Sequence, residues 1–334
     1  MRRPAGRDSL PCMNRRRVVG IALGALAGAA YGTGPLFFKA YVYPAGVGWI
    51  AMLMWRFMFA TAVSWLWLLI QPRARAALGD LDRRTIARLL LTGAFFICNA
   101  SVYYAAIEKI DISLVALLMS AYPALVAVLS LRLGYRFEGK LAWGSLAVVL
   151  LGTALTVGAI KAQTDQSGII LALLSPLAYA IYIVLTAWMA GERPGQTADM
   201  RSRGKGAEVS PPVAGAVMMT GTWAATISLC VLTQTPALPS DVPAAAWPGL
   251  AGIGVFAAAV AIQAFYASAA RIGAAQASLM ATVEPIVVIL LGVTFLNEAF
   301  SPARGVGAII VMAGVLMAQL ATPAESRPVI LEEP

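Results

Sequence analysis

Long apolar stretches separated by short polar links dominate the pattern along this chain. Ten stretches stand out, at about 18–39, 47–70, 86–107, 111–131, 141–160, 168–189, 212–233, 248–270, 274–296 and 303–321. Each is close to the roughly 20 residues that a helix needs to cross a hydrocarbon core. In that solvent every backbone N–H and C=O must be paired within its own segment, as a helix does. A membrane β-barrel would need short segments alternating apolar and polar residues, and none of the stretches alternates in that way. The pattern predicts an all-α membrane protein with ten transmembrane helices. Links such as 108–110 and 271–273 are so short that the helices they join must run antiparallel. The longest internal link, about 190–211, holds Gly191, Pro194, Gly195, Gly204, Gly206 and Pro211 and reads as a mobile loop.

Charge assigns the sides. The 334 residues include 25 Lys and Arg against 16 Asp and Glu, and only 12% of the chain is charged, about half the share usual in soluble domains. A net charge of +9 would suit nucleic acid, but the basic residues sit in links between apolar stretches, a membrane-orientation pattern with no nucleic-acid partner. With the N-terminus in the cytoplasm, twenty basic residues fall on the cytoplasmic side. Lys39, Lys109, Lys161 and Arg304 fall outside, and Arg56 is left within a span. The expected location is the inner membrane of the cell, with both termini cytoplasmic, a basic tail at 1–17 and a second tail at 322–334. Arg15, Arg16 and Arg17 before an apolar run also resemble a secretory signal, with Ala27-Gly28-Ala29 as a cleavage site. The run is long for a signal and recurs later in the chain, so a retained first span is the expectation.

The recurrence is specific. Gly20-Ile21, Leu23, Leu26 and Ala30-Tyr31 match Gly168-Ile169, Leu171, Leu174 and Ala178-Tyr179 without a gap. Residues 103–123 align with 265–285, placing Tyr104, Ala105, Ile110, Leu117 and Pro123 on Tyr266, Ala267, Ile272, Leu279 and Pro285, and the register continues to Gly152 and Gly314. The chain thus divides into repeats at 18–160 and 168–321. Five spans per repeat is an odd number, so the second repeat is expected to be inverted in the membrane. Five Arg follow span 2 and none follows span 7, while Arg136 stands at the repeat position of Glu298, as inversion requires. Inverted repeats are a common build of secondary transporters, with the site at mid-membrane between the halves.

The segments Tyr104–Pro123 and Tyr266–Pro285, followed by Phe295-Leu296-Asn297-Glu298 and Gly307 to Gly314, resemble the EamA repeat of the drug/metabolite transporter superfamily. Both copies are present and cover nearly the whole chain. The resemblance implies a ten-helix carrier, usually an exporter of amino acids or other small metabolites, working by alternating access. The first copy departs from the pattern, with Arg136 and Glu138 where a turn such as Asn297-Glu298 is usual.

Deep polar residues nominate a site. Glu284 lies about ten residues into span 9 and Arg56 about nine into span 2. A charged side chain at the centre of a membrane helix costs roughly 2.5–3.5 kcal/mol on insertion scales, so it faces a cavity or a partner. Glu284 could bind a substrate amine or carry a coupling proton; it could equally be a packing carboxylate beside Pro285. Arg56 could pair with Glu284 or meet a substrate carboxylate. Tyr31, Asn99, Tyr103, Tyr179, Tyr182, Gln263, Tyr266 and Thr282 collect in helices expected to surround the repeat interface, where aromatic rings and a few hydrogen-bonding groups suit a small amphiphilic substrate. Pro123 and Pro285 are candidate hinges, and Gly20, Gly24, Gly28 and Gly32 form a small-residue ridge for close helix approach.

Other classes are less well served. The chain has no G-x-x-x-x-G-K-[ST] loop for a nucleotide-driven pump. It has three Cys and no His, so neither a metal site, a cofactor nor a catalytic constellation is expected. An intramembrane enzyme is therefore disfavoured, while a lipid-head-group flippase of the same superfamily stays open. The expected partners are a small-molecule substrate and the bilayer, with protons as the candidate coupling ion and a monomer or weak dimer as the assembly.

Overall fold

The computed structural model describes residues 15–122, 125, 126, 129, 140–158, 164–189, 209–272, 277, 280–299 and 302–321. The hinge candidate Pro123, Arg136, the loop at 190–208, residues 1–14 of the first tail and the tail at 322–334 lie outside the described residues. The described elements are α1 (Arg15–Phe37), a π-turn (Phe38–Val42), α2 (Trp49–Ile70), α3 (Pro72–Gly79), α4 (Arg83–Lys109), α5 (Ile112–Met119), α6 (Lys140–Gly158), α7 (Gln166–Met189), α8 (Pro211–Leu232), α9 (Trp247–Gly254), a π-turn (Val255–Val260), α10 (Ala261–Ile272), α11 (Val283–Phe295) and α12 (Pro302–Ala321). Among the described residues, six helices are long and apolar enough to cross a membrane: Arg17–Val42, Trp49–Ile70, Arg83–Lys109, Gln166–Leu185, Pro212–Leu232 and Ala244–Phe265. Large apolar side chains such as Leu66, Ile70, Leu151, Leu232, Phe295 and Ile309 point outward. That outer face suits lipid as solvent, and the chain is a multi-pass membrane protein.

Two expected spans are not continuous helices. The helix of the fourth stretch ends at Met119 and turns at Ser120 and Ala121; that of the ninth is interrupted at Thr282. Both interruptions stand three residues or fewer ahead of a proline, Pro123 or Pro285. Proline has no N–H to donate to the carbonyl four residues back and its ring crowds that carbonyl. The prolines therefore mark breaks in the same position of each repeat. A further element, α3, falls in what the sequence presents as a link. Pro72 starts it at the first helical position, where a missing N–H is harmless. Its Ala74 is buried with Leu68, Val213, Ala216 and Val217, while Arg73 and Arg75 stay exposed.

Helix packing is reciprocal between the two repeats. α1 packs on α10 and α11, as α7 packs on α4 and α5. α2 packs on α8 and α6 on α12. Glycine contacts fix the register: a Cβ on Gly20 would meet Ile272 Cγ2 at 2.5 Å, and one on Gly168 would meet Ile110 Cγ2 at 2.6 Å. Likewise a Cβ on Gly152 would meet the Val311 nitrogen at 2.7 Å, and one on Gly314 the Val149 nitrogen at 2.8 Å. Each pair of contacts exchanges residues that match in the sequence repeat.

Charged side chains close the bundle end where α1 finishes. Lys39 Nζ donates to the carbonyls of Ile107 (2.6 Å) and Glu108 (3.0 Å), so it neutralises the last turn of α4 instead of reaching away from the protein. Glu108 Oε1 accepts from the Trp49 N–H at 2.6 Å, at the start of α2. Glu298 accepts from the N–H groups of Ile112 (2.6 Å) and Ser113 (3.1 Å) at the start of α5. Elsewhere the caps are local: Asp82 accepts from the Thr85 N–H and Asp165 from the Gly168 N–H and Ser167 Oγ. These bonds favour the ionised carboxylate and hold both groups below the usual aspartate range. Trp55 and Trp247 pack edge to face at 4.7 Å, and with Phe38, Ile107, Ile112 and Leu250 belong to the largest core cluster, between the charged end and the bundle centre.

Candidate functional site

The centre of the bundle holds a cavity of about 450 Å³. Both repeats contribute to its wall: Tyr31, Arg56, Asn99 and Tyr103 from the first, Tyr179, Tyr182, Thr282 and Glu284 from the second. The two helix breaks border it, at Ser120 and at Thr282. Its volume and mixed lining are in the range of small-molecule sites.

Local structure sets each group. Arg56 projects from α2, where its Nη1 donates to Tyr104 Oη. The guanidinium lies over the rings of Phe57 and Tyr104, 5.4 and 5.1 Å from their centroids. Gly34 makes room for this arrangement, because a Cβ there would stand 2.8 Å from Tyr104 Oη. Arg56 Nε is buried without a partner. An unsatisfied buried donor costs about 1–3 kcal/mol, more for a charged group.

Glu284 enters the cavity from the first turn of α11, beside the break. The glycine ridge of α1 lies against this point: a Cβ on Gly28 would meet the Ala281 carbonyl oxygen at 2.5 Å, and one on Gly32 the Glu284 carbonyl oxygen at 3.0 Å. The Ala281 carbonyl is the one that Pro285 leaves without a helical donor, so a ridge without side chains can approach it closely. Arg56 and Glu284 share the cavity but form no ion pair within 4.0 Å. The alternatives open from the sequence are thereby separated: the two charges line one space unpaired.

Aromatic rings form one side of the cavity. Tyr179 and Tyr182, one helical turn apart on α7, stack with centroids 5.9 Å apart; Tyr122 meets Tyr179 edge-on at 4.8 Å and Phe96 meets Tyr182 at 5.3 Å. Asn99 is tied to α7 by Ser175, whose Oγ donates to Asn99 Oδ1 at 3.2 Å, with Met119 Sδ at the same distance.

Of the residues nominated from sequence, Tyr31, Arg56, Asn99, Tyr103, Tyr179, Tyr182, Thr282, Glu284 and Pro285 line the cavity. Gln263 does not; its neighbours Ile262 and Phe265 do. The side chain of Tyr266 lies outside the described residues. Sequence reasoning missed Phe96, Met119, Met218, Met219 and Met312. Apolar side chains carry no signal that separates a cavity wall from helix packing.

Residues 18–158 and 166–320 each match the sequence model described as the EamA-like transporter family. No curated protein matches the chain. A solved structure titled only "Crystal structure of protein" is similar with a TM-score of 0.60, covering 91% of this chain and 97% of that one at 18% identity, a likeness of fold alone.

Proposed function

The chain belongs to the EamA-like transporter family, and on that premise we propose that it is a secondary-active carrier that exports small metabolites or amino acids by alternating access. The observation that carries this reading is a central cavity walled by both family segments, with Arg56 and Glu284 unpaired in its lining. A packing role alone leaves the cost of two unpaired deep charges without a return. In this reading ten helices form two inverted repeats around the cavity, supported by the reciprocal contacts of Gly20 with Ile272 and Gly168 with Ile110, and of Gly152 with Val311 and Gly314 with Val149. The inner membrane, with both termini cytoplasmic, is supported by the side bias of the basic residues.

The breaks at Ser120 and Thr282 suit alternation. Half-helices joined at a cavity can tilt independently, and discontinuous helices at the repeat interface are a recurring feature of such carriers. Glu284 sits where access would alternate, so proton and substrate amine compete for one carboxyl. That competition is the simplest basis for antiport: substrate released on one side is replaced by a proton, and substrate arriving on the other expels it.

Reconstitution tests the proposal. The purified full chain in liposomes should accumulate a labelled small solute by counterflow, and an imposed pH gradient should drive it. Glu284→Gln, nearly isosteric but unable to ionise, should fold normally and lose the response to the gradient. If no solute in a broad panel of amino acids and amines crosses faster than in protein-free liposomes, the carrier reading is wrong; a wild-type gradient response in the Gln variant removes Glu284 from coupling.

A further inference from the structure

Among the described residues, the cavity is lined by one cation, Arg56, and one acid, Glu284, contributed by different repeats. The Arg56 guanidinium is immobilised on three sides, by the Tyr104 hydroxyl at Nη1 and by the faces of Phe57 and Tyr104. Its remaining edge has no protein acceptor among the described residues. Because Nε is buried, the open end of the guanidinium is at Nη1 and Nη2, whose remaining N–H groups can donate to the oxygens of a carboxylate. Glu284, in the same cavity, is left unpaired by Arg56. Phe96, Tyr122, Tyr179 and Tyr182 form a connected aromatic wall, and Met218 and Met219 add adaptable apolar surface.

We propose that Arg56 is the anion subsite of the cavity, selecting solutes that carry a carboxylate, and that Glu284 receives an ammonium group on the same solute. The assignment rests on the carrier reading and narrows its substrates to zwitterions with an apolar or aromatic body. Electrostatics decides between the substrate classes. A lone organic cation satisfies Glu284 but leaves Arg56 desolvated and repelled; a lone anion does the reverse. A zwitterion pairs both and leaves the closed cavity electrically balanced. The aromatic wall and the methionines then take up the apolar body, and the cationic end gains from nearby ring faces.

Four probes share one apolar body and differ only in charged ends: L-phenylalanine, L-phenylalaninamide, phenethylamine and 3-phenylpropionate. Dissociation constants are measured by titration calorimetry on the full chain in detergent, with counterflow in liposomes run in parallel. The wild-type protein should bind phenylalanine at least tenfold more tightly than each of the other three. Arg56→Gln should weaken phenylalanine and phenylpropionate at least tenfold and bind the amide and the amine at least as tightly as the wild type does, since it removes the charge that repels them. Glu284→Gln should show the opposite selectivity. Arg56→Lys keeps the charge without the planar fork and should lie between, which separates recognition from misfolding when the elution profile and melting temperature are checked. Equal affinity for acid and amide, binding of none of the four, or uniform weakening by Arg56→Gln overturns the assignment. If phenethylamine alone is carried, the carrier reading stands and the Arg56 subsite falls; if no tested solute crosses faster than in protein-free liposomes, both fall.

Discussion

Glu298 offers a test of how the second repeat positions the first. Asn297 takes a left-handed conformation (φ 53°) after α11, and the Leu296 and Glu298 N–H groups both return to the Gly292 carbonyl at 3.1 Å, which closes the end of the helix. That turn aims the Glu298 carboxylate at the start of α5, where it accepts from Ile112 N (2.6 Å), Ser113 N (3.1 Å) and Ser113 Oγ (2.5 Å). Gly292 leaves the space, since a Cβ there would stand 2.5 Å from Glu298 Oε2. In Glu298→Ala the first N–H groups of α5 lose their acceptor. Hydrogen bonds to a charged group contribute roughly 1.5–3 kcal/mol each, but bonds that share one carboxylate do not add, and lost helix caps cost about 0.5–2 kcal/mol. We expect a loss of about 2–4 kcal/mol, a fall in melting temperature of several degrees followed by intrinsic tryptophan fluorescence in detergent. Glu298→Gln should lose less, and Ser113→Ala less again. The double variant Glu298→Ala/Ser113→Ala should fall short of the summed single effects by about 1 kcal/mol, because the two share a contact. A Glu298→Ala protein that melts within 1 °C (about 0.7 kcal/mol) of wild type, or strictly additive losses, would refute the capping argument.

Three further outcomes follow from the same structure. Gly93→Ala and Gly221→Ala place a Cβ 1.9 Å from the Met218 carbonyl oxygen and 2.1 Å from that of Leu90, so each should part α4 from α8 and cost about 1–3 kcal/mol, while Gly79→Ala, with nothing within 4 Å, should be near neutral; equal melting temperatures for all three would count against the crossing. The bonds from Ser167 and Gly168 depress the Asp165 pKa in the folded state, so its stabilising contribution is present at neutral pH and is lost as pH falls through that depressed value; the melting difference between wild type and Asp165→Ala should shrink on acidification, and a constant difference would show that ionisation is not involved. Single cysteines at Gly195 and Pro239 should be labelled from opposite sides of the membrane, and labelling of both from one side would exclude the inverted arrangement.

The chain's class was legible in the sequence because apolar length is a local property. Ten stretches, the two-fold recurrence around Tyr104–Pro123 and Tyr266–Pro285, and the depth of Arg56 and Glu284 all follow from residue order alone. So did the small-residue ridge of α1, which packs closely on its neighbours as its spacing requires. What needed the tertiary structure was every question of direction. A residue in a uniformly apolar helix gives no sign of the face it occupies, and α10 turns Ile262 and Phe265, not Gln263, onto the cavity. Pairing is also non-local: Lys39 found the end of α4, Glu298 the start of α5 and Arg56 the hydroxyl of Tyr104, each across a separation that residue spacing does not encode. Above all, the sequence placed two opposite charges at membrane depth, and only the packing of α2 and α11 around one space decided that they face it without pairing.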